Sequence, residues 1–419
     1  MKVTVTPAKL SGKIAAIPSK SYAHRFLICA ALSDGCCEIW ADRTSADIEA
    51  TARCLCAMGA DITRRGGVYA VSPASGEKTE VLPALDCGES GSTLRFLAPI
   101  ASALGGGTFT MSGRLAERPM DPLNAALCAH GMTVKKSGNT VTYSGKLTGG
   151  EFLIPGDVSS QYISGLLMAL PLCGGGEVRL TSPLASAPYV DITVDAMRAF
   201  GVSVGRGEGR YTVAPGQKYR RCDPCVPGDW SNAAFWLISG AAVTGLDLND
   251  AQGDKAILDR LADMGAKADF SSDGACCIDG LDRLHGCEID AGDIPDAVPA
   301  LAVAAARAKG ETRIFNAARL RAKESDRIAT VCAMLTAFGV QNRATDDGIV
   351  ITGRAVALLS CTVDAANDHR IAMAAAVGAS FADGPVYITG AEAVNKSYPD
   401  FWDDYKKLGG QIDVEHAGQ

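Results

Sequence analysis

ALCAHGMTVKKSGNTVTY, residues 126–143, contains the clearest signal for the fold, because a helix end and a strand pair can both be read from it. Apolar residues before Gly131 are typical of a helix, and a glycine at this place favours a left-handed helix end. The residues after it alternate between apolar and polar, and Gly138 allows the chain to turn into a second strand. This stretch therefore predicts a helix followed by a β-hairpin.

Five further stretches repeat this pattern, at residues 54–71, 196–213, 260–278, 334–351 and 405–418. Their shared glycines, together with Gly131, lie 64 to 74 residues apart, at Gly59, Gly131, Gly201, Gly265, Gly339 and Gly409. A period near 70 is too long for a solenoid repeat and suits a small βαββαβ-type subdomain. We predict an α/β (α+β) fold of six repeats, three in each of two similar lobes, with the break in the Gly-, Pro- and Cys-rich residues 216–228 and the ligand in the crevice between the lobes.

Composition narrows the class of protein. The 419 residues include 40 basic and 47 acidic side chains, a net charge of −7, which disfavours a general nucleic-acid binder. The apolar runs 233–243 and 297–308 are too short to span a bilayer, and residues 1–12 do not form a signal peptide, so we expect a cytoplasmic protein without a membrane partner. The 15 cysteines are scattered and are expected to be buried thiols, and the Cys222–Cys225 segment is expected to be a turn.

Two helix starts combine loop glycines or hydroxyls with a cation, a combination suited to anions because helix N-termini present amide N–H groups. In PSKSYAHR, Lys20 and Ser21 open an apolar helix and Arg25 follows one turn later. In GESGSTLR, Gly91 allows close backbone approach and Arg95 lies near the helix start. The alternative for each segment is an ordinary capped helix.

Two more helix starts are candidates. Three neutral donors precede an apolar helix at Ser159, Ser160 and Gln161. In KESDR, residues 323–327, charges crowd a predicted first helical turn, and the alternative is a solvated charged face. Like charges at Lys323 and Arg327 would repel at i, i+4 unless an anion or the neighbouring carboxylates compensate.

Single residues in five further motifs complete the candidate set. They are Arg118 in RPM, Ser186 in SAPYVDIT, Asp296 in IPDA, Arg370 in NDHR and Lys396 in NKSYPDF. Each is weak alone. Asp296 could be only a helix cap, and the histidine of NDHR is better read as structural than as a metal ligand.

In this order along the chain, the motifs resemble those of the enolpyruvyl transferases, and within them the branch that uses shikimate 3-phosphate as acceptor. The resemblance runs nearly end to end. It implies two lobes, each an inside-out α/β barrel of three βαββαβ repeats, with an N-terminal lobe at 19–227 and a C-terminal lobe formed by 1–18 plus 228–419.

The resemblance also implies the ligands: shikimate 3-phosphate and phosphoenolpyruvate, with no metal and no organic cofactor. The implied contacts to shikimate 3-phosphate are Lys20, Ser21, Arg25, Ser159, Ser160, Gln161, Ser186, Asp296 and Lys323. The implied contacts to phosphoenolpyruvate are Lys20, Gly91, Arg95, Arg118, Gln161, Arg327, Arg370 and Lys396.

The implied reaction, in chorismate and aromatic amino acid biosynthesis, transfers the enolpyruvyl group to the 5-hydroxyl of shikimate 3-phosphate by addition and then elimination of phosphate. Asp296 is the candidate base and Glu324 the candidate acid, with Lys20 assisting either step. Glyphosate is the expected competitive inhibitor, and a monomer is expected. Three positions depart from the family pattern: Glu89, Ser92 and Arg319.

Two alternatives remain. One is the sister enzyme that uses UDP-N-acetylglucosamine as acceptor, against which the acceptor motifs PSKSYAHR, SSQ and KESDR argue. The other is a non-catalytic scaffold built from the same repeats, which would be expected to lack Asp296, Glu324 or Lys396.

Overall fold

The computed structural model of the chain describes residues 1–74, 81–354 and 356–415. Its helices are α1 (Lys20–Ala31), α2 (Ala46–Ala57), α3 (Gly91–Leu104), α4 (Asp121–Ala129), α5 (Ser160–Ala169), α6 (Ala187–Ala199), α7 (Trp230–Ser239), α8 (Ile257–Asp263), α9 (Val298–Arg307), α10 (Arg327–Ala337), α11 (His369–Ala379) and α12 (Phe401–Lys407). Its strands are β1 (Lys2–Thr6), β2 (Lys13–Ala15), β3 (Cys37–Trp40), β4 (Asp61–Arg65), β5 (Val68–Ser72), β6 (Ala84–Asp86), β7 (Gly106–Thr110), β8 (Met132–Ser137), β9 (Thr140–Gly145), β10 (Gly150–Ile154), β11 (Gly176–Leu180), β12 (Val204–Gly207), β13 (Arg210–Val213), β14 (Ala242–Thr244), β15 (Lys267–Phe270), β16 (Cys276–Asp279), β17 (Glu288–Asp290), β18 (Gly310–Phe315), β19 (Gln341–Ala344), β20 (Ile349–Gly353), β21 (Thr362–Asp364), β22 (Val386–Thr389) and β23 (Gln411–Glu415).

The six predicted repeats are confirmed. Each shared glycine lies two positions after the last residue of a helix and has a positive φ, between +73° and +101°. Such a backbone conformation is accessible to glycine without the penalty that a Cβ imposes. A β-hairpin follows in five repeats, whereas β23 pairs instead with β1 at the other end of the chain, and residues 416–418 of the sixth predicted stretch lie outside the described residues.

The order of elements within a repeat differs from the expected βαββαβ. Residues 150–213 run β10, α5, β11, α6, β12, β13, and residues 84–145 and 288–353 follow the same order. The aligned pattern contained one helix and one hairpin only, so it did not fix where the other helix falls. Because α5 crosses between them, β10 and β11 pair in parallel, while the hairpin strands β12 and β13 pair antiparallel.

Helices occupy the interior of each set of repeats. All but the first two of the 12 residues of α1 are buried, and α3, α5, α9 and α11 are similarly enclosed. The strands carry alternating buried and exposed residues, as β3 and β5 show, so each sheet covers the helices with one face. This is the predicted inside-out arrangement. It places candidate residues at the N-terminal ends of buried helices.

Contacts within the chain divide it into two compact units. The N-terminal unit contains the described residues of Pro18–Val226 together with Asp250–Gln252. The C-terminal unit contains Met1–Ile17, Pro227–Asn249 and the described residues of Gly253–Gln419. Each unit has its own hydrophobic core. The sequence did not indicate that Asp250–Gln252 joins the first unit, where Gln252 accepts a hydrogen bond from Ser19 at 2.9 Å.

The cysteines are free thiols, but the prediction that they are buried is wrong for most of them. Those that are buried are Cys29, Cys37, Cys54, Cys87 and Cys276. Among the described residues, none of the helices combines the length and the apolar character that crossing a bilayer needs.

Candidate functional site

Three buried helices of the N-terminal unit begin at predicted anion-binding segments. Helix α1 begins at Lys20, α3 at Gly91 and α5 at Ser160. Ser90 and Ser159 cap α3 and α5 with their hydroxyls, whereas Ser19 makes no side-chain cap to α1. Each start leaves amide N–H groups of the first turn that an anion could accept from.

Arg25 is held by neutral groups. Its guanidinium is 2% exposed and donates to Thr193 Oγ1 at 2.6 Å, to the carbonyl oxygens of Ser21 at 2.7 Å and Tyr189 at 2.9 Å, and more distantly to a serine hydroxyl. It also lies over the ring of Phe96 at 4.6 Å. Burial lowers the pKa of Arg25 to about 10, as expected for a desolvated cation that donates to neutral oxygens.

Lys20 forms an ion pair that the sequence did not indicate. Its Nζ lies 2.9 Å from Asp47 Oδ2, and both side chains are largely buried. Asp47 lies in the first turn of α2, where acidic residues are common for reasons of helix stability, so its pairing role could not be read from the pattern. The contact fixes the ammonium group of Lys20 at the start of α1.

Arg95, Gln161 and Ser92 form a chain of hydrogen bonds. Arg95 Nη1 donates to Gln161 Oε1 at 2.9 Å, and Gln161 Nε2 donates to Ser92 Oγ at 2.9 Å. The guanidinium of Arg118 packs against Gly91. A Cβ atom on residue 91 would lie only 2.7 Å from Arg118 Nη1. The structure therefore brings these predicted phosphoenolpyruvate residues together at the starts of α3 and α5.

Two further positions of interest in the N-terminal unit are Ser186 and Glu89. Ser186 is buried and caps α6 in a left-handed conformation with φ 56°, which is uncommon for a residue other than glycine and often marks a functional position. The Glu89 carboxylate packs against Gly113, where a Cβ would lie 2.6 Å from Glu89 Oε2. Glu89 thus places a negative charge two residues before Gly91.

Asp296 is the centre of the corresponding group in the C-terminal unit. One of its carboxylate oxygens, Oδ1, lies 2.7 Å from Arg327 Nη1 and 3.3 Å from Lys323 Nζ. The other, Oδ2, lies 3.3 Å from Arg370 Nη2. Three predicted cations therefore meet at one predicted base.

Arg327 is surrounded by carboxylates. Besides Asp296, it contacts Glu324 Oε2 at 2.6 Å and Asp368 Oδ2 at 2.8 Å, and its side chain is 1% exposed. Burial alone would lower the pKa of Arg327, but the three carboxylates, with Asp368 first, raise it well above the ordinary value. Arg327 is therefore a permanent cation that holds these three acids in place.

One local prediction in this group is wrong. Lys323 does not lie in the first turn of a helix, because α10 begins at Arg327 and Lys323 ends a preceding 3₁₀ turn. The predicted repulsion between Lys323 and Arg327 is relieved by Asp296, which contacts both. Asp326 caps α10 instead, and Asp296 is not a cap because Ala297 precedes the first residue of α9.

Sequence reasoning missed Asp368 and Ser231. Asp368 is fully buried, caps α11 by accepting from Arg370 N at 3.0 Å, and accepts from Ser325 Oγ at 3.0 Å. Ser231 Oγ accepts from Arg370 Nη2 at 2.9 Å. Each lies at the start of a buried helix, and Asp368 belongs to the NDHR motif itself, so attention to helix caps beside predicted arginines could have found them.

Lys396 is anchored next to this group. Its Nζ donates to the carbonyl oxygen of Asn367 at 2.6 Å. Asn367 has a left-handed backbone with φ 55° and directly precedes Asp368. The described residues thus contain two groups of predicted site residues, one in each compact unit.

Comparisons with known proteins give a single family. A sequence profile described as EPSP synthase (3-phosphoshikimate 1-carboxyvinyltransferase) matches residues 5–405. The 3-phosphoshikimate 1-carboxyvinyltransferase of Clostridium kluyveri is 40% identical over 428 residues, covering 100% of this chain and 99% of that protein. The protein of the same name from Halobacterium salinarum is 38% identical over 431 residues, covering 99% and 100%.

Solved structures share the fold. The EPSP synthase of Acinetobacter baumannii superposes with a TM-score of 0.79 at 26% identity, covering 99% of this chain and 100% of that one. The enolpyruvyl transferase NikO of Streptomyces tendae superposes with a TM-score of 0.81 at 18% identity, covering 100% and 99%. The second likeness concerns the fold alone.

Proposed function

The chain belongs to the EPSP synthase family, and on that premise we propose that the residues of its two polar groups bind and convert the substrates of that family. The enzyme transfers the enolpyruvyl group of phosphoenolpyruvate to shikimate 3-phosphate in the shikimate pathway. In this proposal, one group mainly binds the acceptor and the other holds the base for proton transfer. The contacts of Lys323, Arg327 and Arg370 with Asp296 support this division best.

The group in the N-terminal unit supplies most of the contacts to the acceptor. Arg25 has neutral partners, so its charge is available to a phosphate, and the adjacent helix starts add N–H donors. We assign to shikimate 3-phosphate the residues Lys20, Ser21, Arg25, Ser159, Ser160, Gln161, Ser186, Asp296 and Lys323. Of these, Asp296 and Lys323 come from the C-terminal unit.

Phosphoenolpyruvate contacts the remaining cations of the two groups and shares Lys20 and Gln161 with the acceptor. Its carboxylate and phosphate carry negative charges that arginine can bind through two parallel N–H donors. We assign to it Lys20, Gly91, Arg95, Arg118, Gln161, Arg327, Arg370 and Lys396. Gly91 must remain a glycine for this role because the Arg118 guanidinium occupies the place of a side chain.

Proton transfer falls to Asp296 and Glu324. The 5-hydroxyl of the acceptor adds to C2 of phosphoenolpyruvate and gives its proton to Asp296, while C3 takes a proton from Glu324. The second step breaks the C2–O bond to phosphate and removes a proton from C3, which restores the double bond. Lys20 stabilises charge in either step.

As the proposed acid, Glu324 must carry a proton. Arg327 opposes this, because it contacts Glu324 at 2.6 Å and favours the ionised carboxylate. A bound phosphoenolpyruvate anion that Arg327 also contacts would offset the charge of that guanidinium. The proton affinity of Glu324 would then rise only when substrate is present. Substrate binding and proton donation are coupled in this scheme.

Inorganic phosphate release tests the proposed acceptor. The protein is mixed with phosphoenolpyruvate and either shikimate 3-phosphate or UDP-N-acetylglucosamine. Phosphate is expected with shikimate 3-phosphate alone. Release with the nucleotide sugar at a comparable rate would contradict the proposed specificity, and release with neither acceptor would contradict catalysis by this chain.

Glyphosate is proposed to compete with phosphoenolpyruvate, and the Glu89 carboxylate to weaken its binding through repulsion of its anionic groups. The variant Glu89→Asn is expected to lower the glyphosate inhibition constant about threefold or more, which corresponds to a charge interaction of modest size near a protein surface. Glu117→Gln, an exposed acid of the same unit, is the control. An unchanged inhibition constant in Glu89→Asn would remove Glu89 from this role.

A further inference from the structure

A basic cavity lies within the C-terminal unit, away from the residues assigned to the reaction. Its volume is about 470 Å³, and its walls include Arg283, Arg307, Lys309 and Arg354 with one carboxylate, Asp282. Four cations less one carboxylate give these walls a net charge of +3. The whole chain has a net charge of −7, so this local excess is opposite to the general charge of the protein.

The cavity lies at the far ends of two helices, α9 and α11, that begin at or next to site residues. Arg307 is the last residue of α9, whose first residue, Val298, follows Asp296 by two positions. Phe381, another wall residue, follows the end of α11 by two positions, whereas Arg370 lies at the beginning of that helix. At 1.5 Å per residue, the length of α9 separates the two places by about 15 Å.

Arg307 is only partly satisfied by the protein. Its guanidinium stacks on the ring of Phe381 at 3.6 Å, and a cation is favourable at the C-terminal end of a helix. Its Nη1 is buried, however, and has no hydrogen-bond partner among the described residues. No carboxylate among the described residues lies within ion-pair distance of it. Burial lowers the pKa of Arg307, while the charge of Asp282 acts in the opposite direction.

The positive charges of the other wall cations, Arg283, Lys309 and Arg354, are only slightly offset by carboxylates among the described residues. Arg354 donates to the carbonyl oxygens of Phe338 and Gly339, and Arg283 lies 3.7 Å from the exposed carboxylate of Asp282. Lys309 is exposed, and no ion pair to it is found in the described ranges. Like charges gathered around one cavity repel, and an anion placed among them would remove that cost.

Apolar side chains form the rest of the wall. Leu281, Leu284, Val356, Ala357 and Phe381 border the same cavity, and Val356 is 63% exposed. Pockets of this size that combine an apolar wall with a few charged groups suit small organic molecules. We infer that this cavity binds a small organic anion, whose carboxylate or phosphate contacts Arg307 and Lys309 and whose apolar part lies against Leu284 and Val356.

Ligand-observed NMR titration tests the inference with three probes: phenyl phosphate, benzoate and inorganic phosphate. The two organic anions distinguish a phosphate from a carboxylate head, and inorganic phosphate tests the apolar wall. At least one organic anion is expected to bind the wild-type protein more tightly than inorganic phosphate does. No binding of either organic probe up to about 10 mM, or equal binding of inorganic phosphate, would overturn the inference.

Variants locate the binding. Arg307→Met and Lys309→Met are each expected to weaken it about tenfold or more, since each removes a charged hydrogen bond. Arg343→Met, an exposed arginine on β19, and Arg370→Met, in the proposed reaction site, should leave it unchanged. Loss of binding in Arg370→Met with retention in Lys309→Met would place the probe in the reaction site and overturn the inference. Lys309 is exposed, so its variant keeps the test valid if Arg307→Met fails to fold.

Discussion

Arg25 in the N-terminal unit and Arg327 in the C-terminal unit are both almost fully buried, but they are held in opposite ways. Arg25 contacts carbonyl and hydroxyl oxygens, whereas Arg327 contacts three carboxylates. The first arginine keeps its net charge for a ligand. The second neutralises its own surroundings and thereby positions acids. Under the proposed assignment, the first group would mainly bind anions and the second would mainly move protons.

The proton-transfer side of the comparison is tested most strongly by Asp296→Asn. The variant is expected to lower kcat by about 10²- to 10⁴-fold, because an amide cannot take the hydroxyl proton. Steady-state phosphate release gives the measurement. Asp293→Asn, an exposed acid on the same loop, is the matched control and should keep its turnover. A near-native kcat in Asp296→Asn would exclude Asp296 as the base.

Removal of Arg327, the cation that three carboxylates share, is expected to lower the free energy of unfolding. Arg327→Gln leaves Asp368 buried without its charged partner, which is expected to cost about 3–5 kcal/mol in the free energy of unfolding. Urea denaturation followed by circular dichroism measures the loss. Arg321→Gln breaks a partly exposed pair with Asp326 and should cost about 1 kcal/mol or less. Equal losses in the two variants would show that the carboxylate cluster depends little on Arg327.

Arg25→Met tests the anion-binding side. The Michaelis constant for shikimate 3-phosphate is expected to rise about tenfold or more, through loss of a charged hydrogen bond, while that for phosphoenolpyruvate changes little. Arg53→Met, an exposed arginine on α2, is the control. A rise confined to phosphoenolpyruvate would assign Arg25 to the other substrate.

The smallest expected effect is a pH dependence of stability, and it comes from His24 in the N-terminal unit. Burial first, and then the charges of Lys20 and Arg25, lower the pKa of His24 well below its usual 6.5. The unfolded chain therefore binds a proton below pH 6.5 that the folded chain does not. Stability is full above that pH and should fall below it by at most about 1.4 kcal/mol per pH unit.

Denaturation at pH 5, 6 and 7 measures this slope in the wild type and in His24→Asn, which retains a polar atom near the position that contacts Thr51. The slope is expected to decrease in His24→Asn and to persist in His130→Gln. An identical slope in wild type and His24→Asn would show that His24 is protonated in the folded protein.

The repeats could be predicted from sequence because each depends on one local signal, such as Gly131, that a side chain would violate. The pairing of β1 with β22 and β23 has no such local signal, since it joins opposite ends of the chain. The order of helices within a repeat was missed for the same reason. Alternation indicates that strands exist, not which strands meet.

Most candidate residues were identified by motif, but their partners were not. Asp47 and Asp368 look like ordinary acids at helix starts, and only the folded chain shows that they contact Lys20 and Arg327. The charges in KESDR were read as one helical turn, whereas the helix begins at its last residue. Long-range ion pairs decide the roles of these side chains, and spacing along the sequence does not encode them.

Equilibrium binding of shikimate 3-phosphate to Arg25→Met and Asp296→Asn, by isothermal titration calorimetry, tests the division of roles most directly. Arg25→Met is expected to lose about tenfold or more in affinity, while Asp296→Asn is expected to bind within about tenfold of wild type although it no longer turns over. Wild-type affinity in Arg25→Met together with lost affinity in Asp296→Asn would contradict this division of roles.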